Sequence, residues 1–320
     1  MSTNPRTTRL LDPKALMRIR SLELRARVVV EGFWSGIHRS PYHGFSAEFS
    51  EYRQYTPGDD VRHIDWRVYA RSDRYYIKKF EDETNLRCQL VVDGSRSMMY
   101  GSDPEFTKHR YAATLAATLA HFLSQQGDAV GLTRFDDTIR DYLPPRNKPG
   151  HLRRLMLSLE HPADGRATDF GVPLERVAQM HDRRGMFVLL SDLLAPLDVL
   201  ETRLGLLRAR GHEVLVFQVL DPRELDFEFE NAAQFTSLES GRQHFIDPNA
   251  ARKDYCAKIQ AHLEAAGAIC QRNGIDYFLS ATDRPFDLAL FDFLTSRSHR
   301  AFSPVRRNTN LRRASWQTSR

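Results

Sequence analysis

From residue 86 onward the sequence predicts an α/β fold, with a central, mostly parallel sheet covered by helices on both faces. Two observations carry this expectation. Runs such as LRCQLVV, GMFVLL and HEVLVFQVL are continuously apolar rather than alternating, as in strands buried on both faces. Between such runs lie amphipathic stretches of helical period that can cross back over a sheet.

Asp12 and Pro13 read as a helix cap and first-turn proline, and the helix they open continues to about Val30 with no further Gly or Pro. Between Gly32 and Glu83 the texture changes to short Tyr-, Phe- and Arg-rich segments. SPYHG and TPGDD punctuate them, which predicts strands and turns with one short helix around IDWRVYAR. LRCQLVV then leads into Asp93. A helix capped by Ser102 or Asp103, with Pro104 in its first turn, runs to about Gln126. Leu115, Leu119, Phe122 and Leu123 form its inward face, while Ala112, Ala113, Ala116 and Ala117 permit close packing on a sheet. AVGLTRF is a strand, TIRDYL an edge strand, HLRRLMLSLE a helix, HPADGRAT a loop, and another helix starts near Phe170. GMFVLL is a buried strand ending in Ser191 and Asp192, followed by a helix over about 197–209 and the buried strand HEVLVFQVL. A hairpin-like insert, AQFTSLESGRQHFI, precedes a helix from about Pro248 to Arg272, the strand DYFLSA and a short final helix. The whole is Rossmann-like, so a ligand site belongs at the carboxyl edge of the sheet, where Asp93 and Asp192 each follow a buried strand.

Composition narrows the function classes. With 320 residues and 41% hydrophobic content the chain can bury a large core. Its longest apolar run, MFVLLSDLLAPL, is broken by Ser191, Asp192 and Pro196 and falls well short of the ~20 residues of a membrane span. The first twenty residues carry charge throughout, unlike a secretory signal, so a cytoplasmic location is expected. Cys88, Cys256 and Cys270 form no Cys-x-x-Cys pair and read as ordinary buried thiols. The formal net charge of +5 is modest, but arginines gather at both ends (Arg6, Arg9, Arg18, Arg20, Arg25, Arg27; then Arg306, Arg307, Arg312, Arg313, Arg320). Such ends are solvated tails or contacts for nucleic acid or acidic lipid.

The chemistry concentrates in VVDGSRSMMYGS, residues 91–102. A serine nucleophile needs a base and a Gly-x-Ser-x-Gly elbow, and neither Ser95 nor Ser97 has that flanking pattern. No Gly-x-x-x-x-Gly-Lys-Ser/Thr loop exists to cradle a nucleotide. An aspartyl-phosphate mechanism on Asp93 is the stronger enzymatic rival. It wants a carboxylic acid two residues on, where this chain has Ser95. A divalent-ion site suits the residues better: Mg²⁺ is hard, takes oxygen ligands and keeps several waters. Asp93-x-Ser95-x-Ser97 presents oxygens on one turn, with a further hydroxyl from Thr168 in GRATD and a second carboxylate from Asp192. A solvated turn with no ion remains the bland alternative.

Asp93, Ser95, Ser97, Thr168 and Asp192, in this order and these contexts, resemble the metal-ion-dependent adhesion site (MIDAS) of a von Willebrand factor A domain. The resemblance implies Mg²⁺ or Mn²⁺ as cofactor, with the two serines and the threonine near the ion and the aspartates acting largely through water. It also implies an open coordination position that an acidic group on a partner protein completes.

The preceding layer, from Gly44 to Glu83, is similar to the hallmark of a bacterial family called domain of unknown function 58, whose members pair this segment with a von Willebrand A-like domain. The matching residues are Glu48, Phe49, Arg53, Tyr55, Pro57, Gly58, Asp59, Asp60, Arg62, Ile64, Asp65, Trp66, Ala70, Arg71, Phe80 and Glu83. Physically, Pro57-Gly58-Asp59-Asp60 is a turn signature. Arg53, Asp60, Arg62, Asp65 and Arg71 suit an ion-pair network that fixes this layer or docks a partner, and Trp66 suits a core anchor. The resemblance implies a MoxR-type AAA+ ATPase as partner, in chaperone-like assembly or maturation of other proteins. Longer relatives carry membrane segments.

The organisation expected is a basic N-terminal helical segment (1–35), a β-rich layer (36–85), a von Willebrand A-like domain (86–300) and a basic tail (301–320). The function expected is a non-enzymatic, metal-dependent protein-binding adaptor. An aspartyl-phosphate hydrolase and a nucleic-acid binder using the basic tails are the alternatives.

Overall fold

In the computed structural model, the residues described are 12–37, 52–54, 76–78, 86–163, 165, 170–181, 183–229, 231–238 and 241–301. Six strands form the main sheet: β3 (Arg87–Asp93), β4 (Ala129–Phe135), β5 (Ile139–Arg146), β6 (Met186–Ser191), β7 (Glu213–Leu220) and β10 (Asp276–Ala281). Their spatial order is β10-β7-β6-β3-β4-β5, with every pairing parallel except that of β5 on β4. Numbered along the chain, that is the 3-2-1-4-5-6 order of a Rossmann-like sheet, here with an antiparallel third strand at one edge. The fold is Rossmann-like, as the alternation of strands and crossover helices predicts.

Helices cover both faces, and strand parity decides which residue meets which layer. Cys88, Leu90 and Val92 of β3 pack with α2 (Leu22–Ile37), α3 (Lys108–Gln125), α4 (His151–Leu159) and α9 (Phe286–Ala301). Val91 points the other way, into the cluster built by α5 (Gly171–Gln179), α6 (Leu197–Ala209) and Cys270 of α8 (Pro248–Arg272). The predicted inward face of α3 holds: Leu115, Leu119 and Leu123 are fully buried and Phe122 is nearly so, and the four alanines are buried with them.

Four boundaries differ from expectation, the first being that α2 runs on through Gly32 to Ile37, past the end read near Val30 and into the stretch read as strands and turns. The N-terminal helix is broken into α1 (Pro13–Met17) and α2, since α1 closes at Arg18 and α2 begins anew at Leu22. Asp12 caps α1 as read, through Lys14 N–H. The helix after the DGSRS turn starts later than read, with Thr107 as its cap accepting from Arg110 N–H. Asp103 instead holds a local turn through Glu105 N–H. The last helix is long rather than short, at 16 residues.

Helix α2 is no loose basic arm. Ala26, Val29 and Val30 are buried against the core and Trp34 stacks on Phe122 of α3 with ring centroids 5.7 Å apart. Arg25, counted among the arginines of a tail, is buried, with its guanidinium on the Met17 sulfur. The insert is the antiparallel hairpin of β8 (Ala233–Thr236) and β9 (Gln243–Ile246), after the short helix α7 (Pro222–Asp226). A second two-stranded pairing joins β1 (Tyr52–Gln54) to β2 (Tyr76–Lys78). Arg53 thus lies on β1, while Tyr55, Asp59, Asp60, Arg62, Asp65, Trp66 and Arg71 lie outside the described residues, as does the helix expected around IDWRVYAR. Among the described residues no helix is long and apolar enough to cross a membrane.

Candidate functional site

The chain lays β4 and β5 on one side of β3 and then crosses to lay β6 and β7 on the other, so the topological switch lies between β3 and β6. Pairing of β3 with β6 ends at Val92 and Leu190, and the residues just beyond bring Asp93 and Asp192 to one place. Gly94 N–H donates to Phe135 O at 2.6 Å, holding the turn to the end of β4. Ser95 then precedes a single 3₁₀ turn, Arg96–Met99, which brings Ser97 back beside it.

Asp93 is fully buried. Its Oδ1 accepts from Ser95 N–H at 2.9 Å and its Oδ2 from the Ser191 hydroxyl at 2.5 Å. Burial, aided by the nearby charge of Asp192, pushes its carboxyl up to about 7, against the pull of those hydrogen bonds. The Ser95 and Ser97 hydroxyls are 3.0 Å apart, and Ser97 donates to Asp192 Oδ2 at 2.7 Å. Four of the five predicted site residues therefore meet. Thr168 lies outside the described residues; Gly165, three positions earlier, donates its N–H to Gly94 O. A Cβ on Gly165 would stand 2.5 Å from the Asp136 carboxylate and 2.7 Å from Gly94 O, so only glycine lets that loop come so close to the turn.

Asp192 is aimed by a strained turn. Leu193, buried and not glycine, adopts φ +52, a left-handed conformation costing roughly 1 kcal/mol or more. It is held by Leu193 N–H on the Ser191 hydroxyl, by His262 Nε2 on Leu193 O, and by Gln218 Nε2 donating to Asp192 O at 2.7 Å. The Tyr277 hydroxyl in turn donates to Gln218 Oε1 at 2.6 Å, so β6, β7 and β10 all support this corner.

Two charged residues of the site were missed. Lys108 is fully buried at the start of α3, and its Nζ reaches Asp192 Oδ2 at 2.9 Å and Glu224 Oε1 at 2.7 Å. Burial alone would lower the lysine, but the two carboxylates more than reverse this and hold it above its ordinary range. Glu224 is shifted upward by burial, with Lys108 opposing. Its other oxygen accepts from Asp221 N–H, closing a capping box on α7. That box was legible in Asp221-Pro-Arg-Glu224, whereas a lysine in the first turn of a helix carries no signal of burial.

The donor set is all oxygen and suits a hard divalent cation. Asp192 and Glu224 share the single Lys108 ammonium, and Asp93 lies near enough to Asp192 to feel its charge, so a fully ionised cluster would carry an excess negative charge that such a cation would balance. Among the described residues no group of three or more His, Cys, Asp or Glu is disposed as a metal cage, so an ion here would depend on hydroxyls and water. Above the cluster opens a cavity of about 290 Å³ lined by Ser97, Tyr100, Leu194, Glu224, Ser237 and Leu238; the last two come from the β8–β9 hairpin. Of its lining residues, Leu194 and Leu238 are exposed at 46% and 36%, giving the mouth an apolar edge. A larger cavity of about 840 Å³ lies elsewhere. Its charged lining of Lys14, Arg223, Arg252, Asp226, Glu228 and Asp283 balances three cations against three carboxylates and favours neither sign of ligand.

The family model described as "Protein of unknown function DUF58" matches residues 51–265. An uncharacterized protein of Mycobacterium tuberculosis is 31% identical over 298 residues, covering 91% of this chain and 92% of its own. Among solved structures, an aerotolerance-related membrane protein from Bacteroides fragilis is similar at 15% identity and TM-score 0.44, over 67% of this chain and 99% of that one. The SpRpn10 VWA domain is similar at 12% identity and TM-score 0.38, over 64% of this chain and 94% of its own.

Proposed function

We propose, for a chain that belongs to the DUF58 family of proteins of unknown function, a non-enzymatic role as a protein-binding adaptor that grips an acidic group of its partner through a divalent ion. The observation that carries this reading is the convergence of Asp93, Ser95, Ser97 and Asp192 at the switch point of the sheet. Ser95 and Ser97, with Thr168, would hold Mg²⁺ or Mn²⁺ directly, and Asp93 and Asp192 would act through water. When bound, the ion supplies a hard Lewis acid with a coordination position left for a carboxylate from outside. Leu194 and Leu238 would pack against apolar residues flanking that carboxylate.

Asp93 itself is poorly placed as a nucleophile, since both its oxygens are hydrogen-bonded, it is fully buried, and Ser95 stands where an aspartyl-phosphate enzyme needs an acid. The family resemblance supplies the class of partner, a MoxR-type AAA+ ATPase, with this chain linking it to acidic client proteins in the cytoplasm.

Calorimetric titration of Mg²⁺ and Mn²⁺ tests the metal step: heat is expected from the natural chain and none from the Asp93→Ala, Ser95→Ala double variant. Equal heats from both would sink the reading. Capture of a co-expressed MoxR-type ATPase, or of an acidic client, should be lost on chelation. Capture that survives both chelation and the double variant would remove the site from docking.

A further inference from the structure

Lys108 is placed against two ordinary physical preferences. It occupies the first position of α3, next to the Thr107 cap, where the positive end of the helix dipole disfavours a cation. It is also wholly buried, at a desolvation cost that a flexible surface lysine avoids. Among the described residues the carboxylates that compensate it are Asp192 and Glu224, at 2.9 and 2.7 Å, with the Tyr100 ring face 6.0 Å away. The oxygen it takes on Asp192, Oδ2, is the same one that accepts from Ser97, so the ammonium lies at the inner edge of the hydroxyl cluster.

We infer that Lys108 is a tethered cation that competes with a divalent ion for Asp192 and so sets how tightly the site is loaded. In the ion-free protein the ammonium neutralises Asp192 and ties it to Glu224. A divalent ion beside Ser95 and Ser97 needs the field of that same carboxylate and is repelled by the ammonium. Loading therefore shifts Lys108 from Asp192 onto Glu224. Glu224 is fitted to receive it, because its second oxygen stays anchored on Asp221 N–H at 2.9 Å. The inference rests on the divalent-ion reading of the site, and its test separates the two.

Mn²⁺ affinity is measured by calorimetry and by paramagnetic resonance of free Mn²⁺ for the natural chain, Lys108→Met and Glu224→Gln, together with melting temperatures in chelator and in Mn²⁺. Lys108→Met is expected to bind Mn²⁺ about tenfold more tightly. It should also melt lower in chelator, where Asp192 and Glu224 have lost their counter-charge, and recover in Mn²⁺. Glu224→Gln moves the other way, binding more weakly because the ammonium then has Asp192 alone. If Lys108→Met binds Mn²⁺ and the natural chain does not, the tethered cation stands and the divalent reading of the natural protein falls. If both bind equally, or the variant binds more weakly, the tethered cation falls and the divalent reading stands. Should Lys108→Met fail to fold even in Mn²⁺, Glu224→Gln decides: binding as tight as the natural chain's, or tighter, overturns the inference. Absence of Mn²⁺ binding by every folded form at millimolar concentration overturns both.

Discussion

At the scale of single residues, the site depends on side chains whose job is to hold other side chains. Ser191 illustrates this, with its hydroxyl donating to Asp93 Oδ2 while accepting from Leu193 N–H. It thus fixes the carboxylate on β3 and the strained turn after β6 with one oxygen. If the site takes the divalent ion proposed for it, replacing Ser191 with Ala touches none of the residues proposed to hold the ion, yet Mn²⁺ affinity is expected to fall about tenfold, as is common when such a residue loses its orienting partner. Calorimetry would read this directly, and an unchanged dissociation constant would show that the turn is held without the hydroxyl. That Asp93, Ser95, Ser97 and Asp192 come together could be expected from the sequence, because each carboxylate follows a buried strand and the serines share one turn. Lys108 could not, because its role comes from where α3 begins relative to β6 and α7.

At the scale of elements, the amino-terminal edge of the sheet holds a pH-sensitive contact remote from the site. His212, just before β7, is buried against Phe187 of β6, with ring centroids 4.7 Å apart, and neither ring nitrogen has a hydrogen-bond partner among the described residues. Burial, then the nearby His181 and Arg210, hold its protonation below the ordinary histidine range. The neutral ring is therefore favoured by folding. Above the unfolded value of ~6.5 neither state is charged and the contact costs nothing. As pH falls below that value the unfolded chain takes up the proton first, and stability is lost until the depressed folded value is passed. His212→Leu removes this titration, so its melting temperature should drop less between pH 7 and 5 than that of the natural chain. Parallel curves would assign the pH response to other groups.

For the molecule as a whole, the decisive feature is that α2 belongs to the same core as the sheet. Val29 is fully buried in the cluster that also contains Leu115 and Leu119 of α3 and Phe293 of α9. Val29→Asp would place an unpaired charge there at a cost of several kcal/mol. The melting temperature of the entire chain should then fall by several degrees in a single transition. A separate, lower transition with the main one unmoved would show instead that α2 is an independent arm. Arginines at 18, 20, 25 and 27 read as a solvated basic arm, and it is the packing, with Ala26, Val29 and Val30 buried and Trp34 on Phe122, that shows which face is turned inward and why Arg25 is buried.

Local and periodic physics therefore determined the strands, the crossover helices and the hairpin. A doubly buried strand must be apolar along its length, and a crossover helix must carry one apolar stripe; both patterns are written in the order of residues. The same patterning put Asp93 and Asp192 after buried strands, which with the switch-point rule placed them together. Tertiary structure alone decided what surrounds them. The start of α3 at Lys108, the left-handed Leu193 and the reach of Glu224 from α7 join positions 84 and 116 residues apart, and no local pattern encodes such contacts. Burial turned an unremarkable lysine into the counter-charge of the site, because an ammonium cut off from water must find carboxylates, and the fold supplied two.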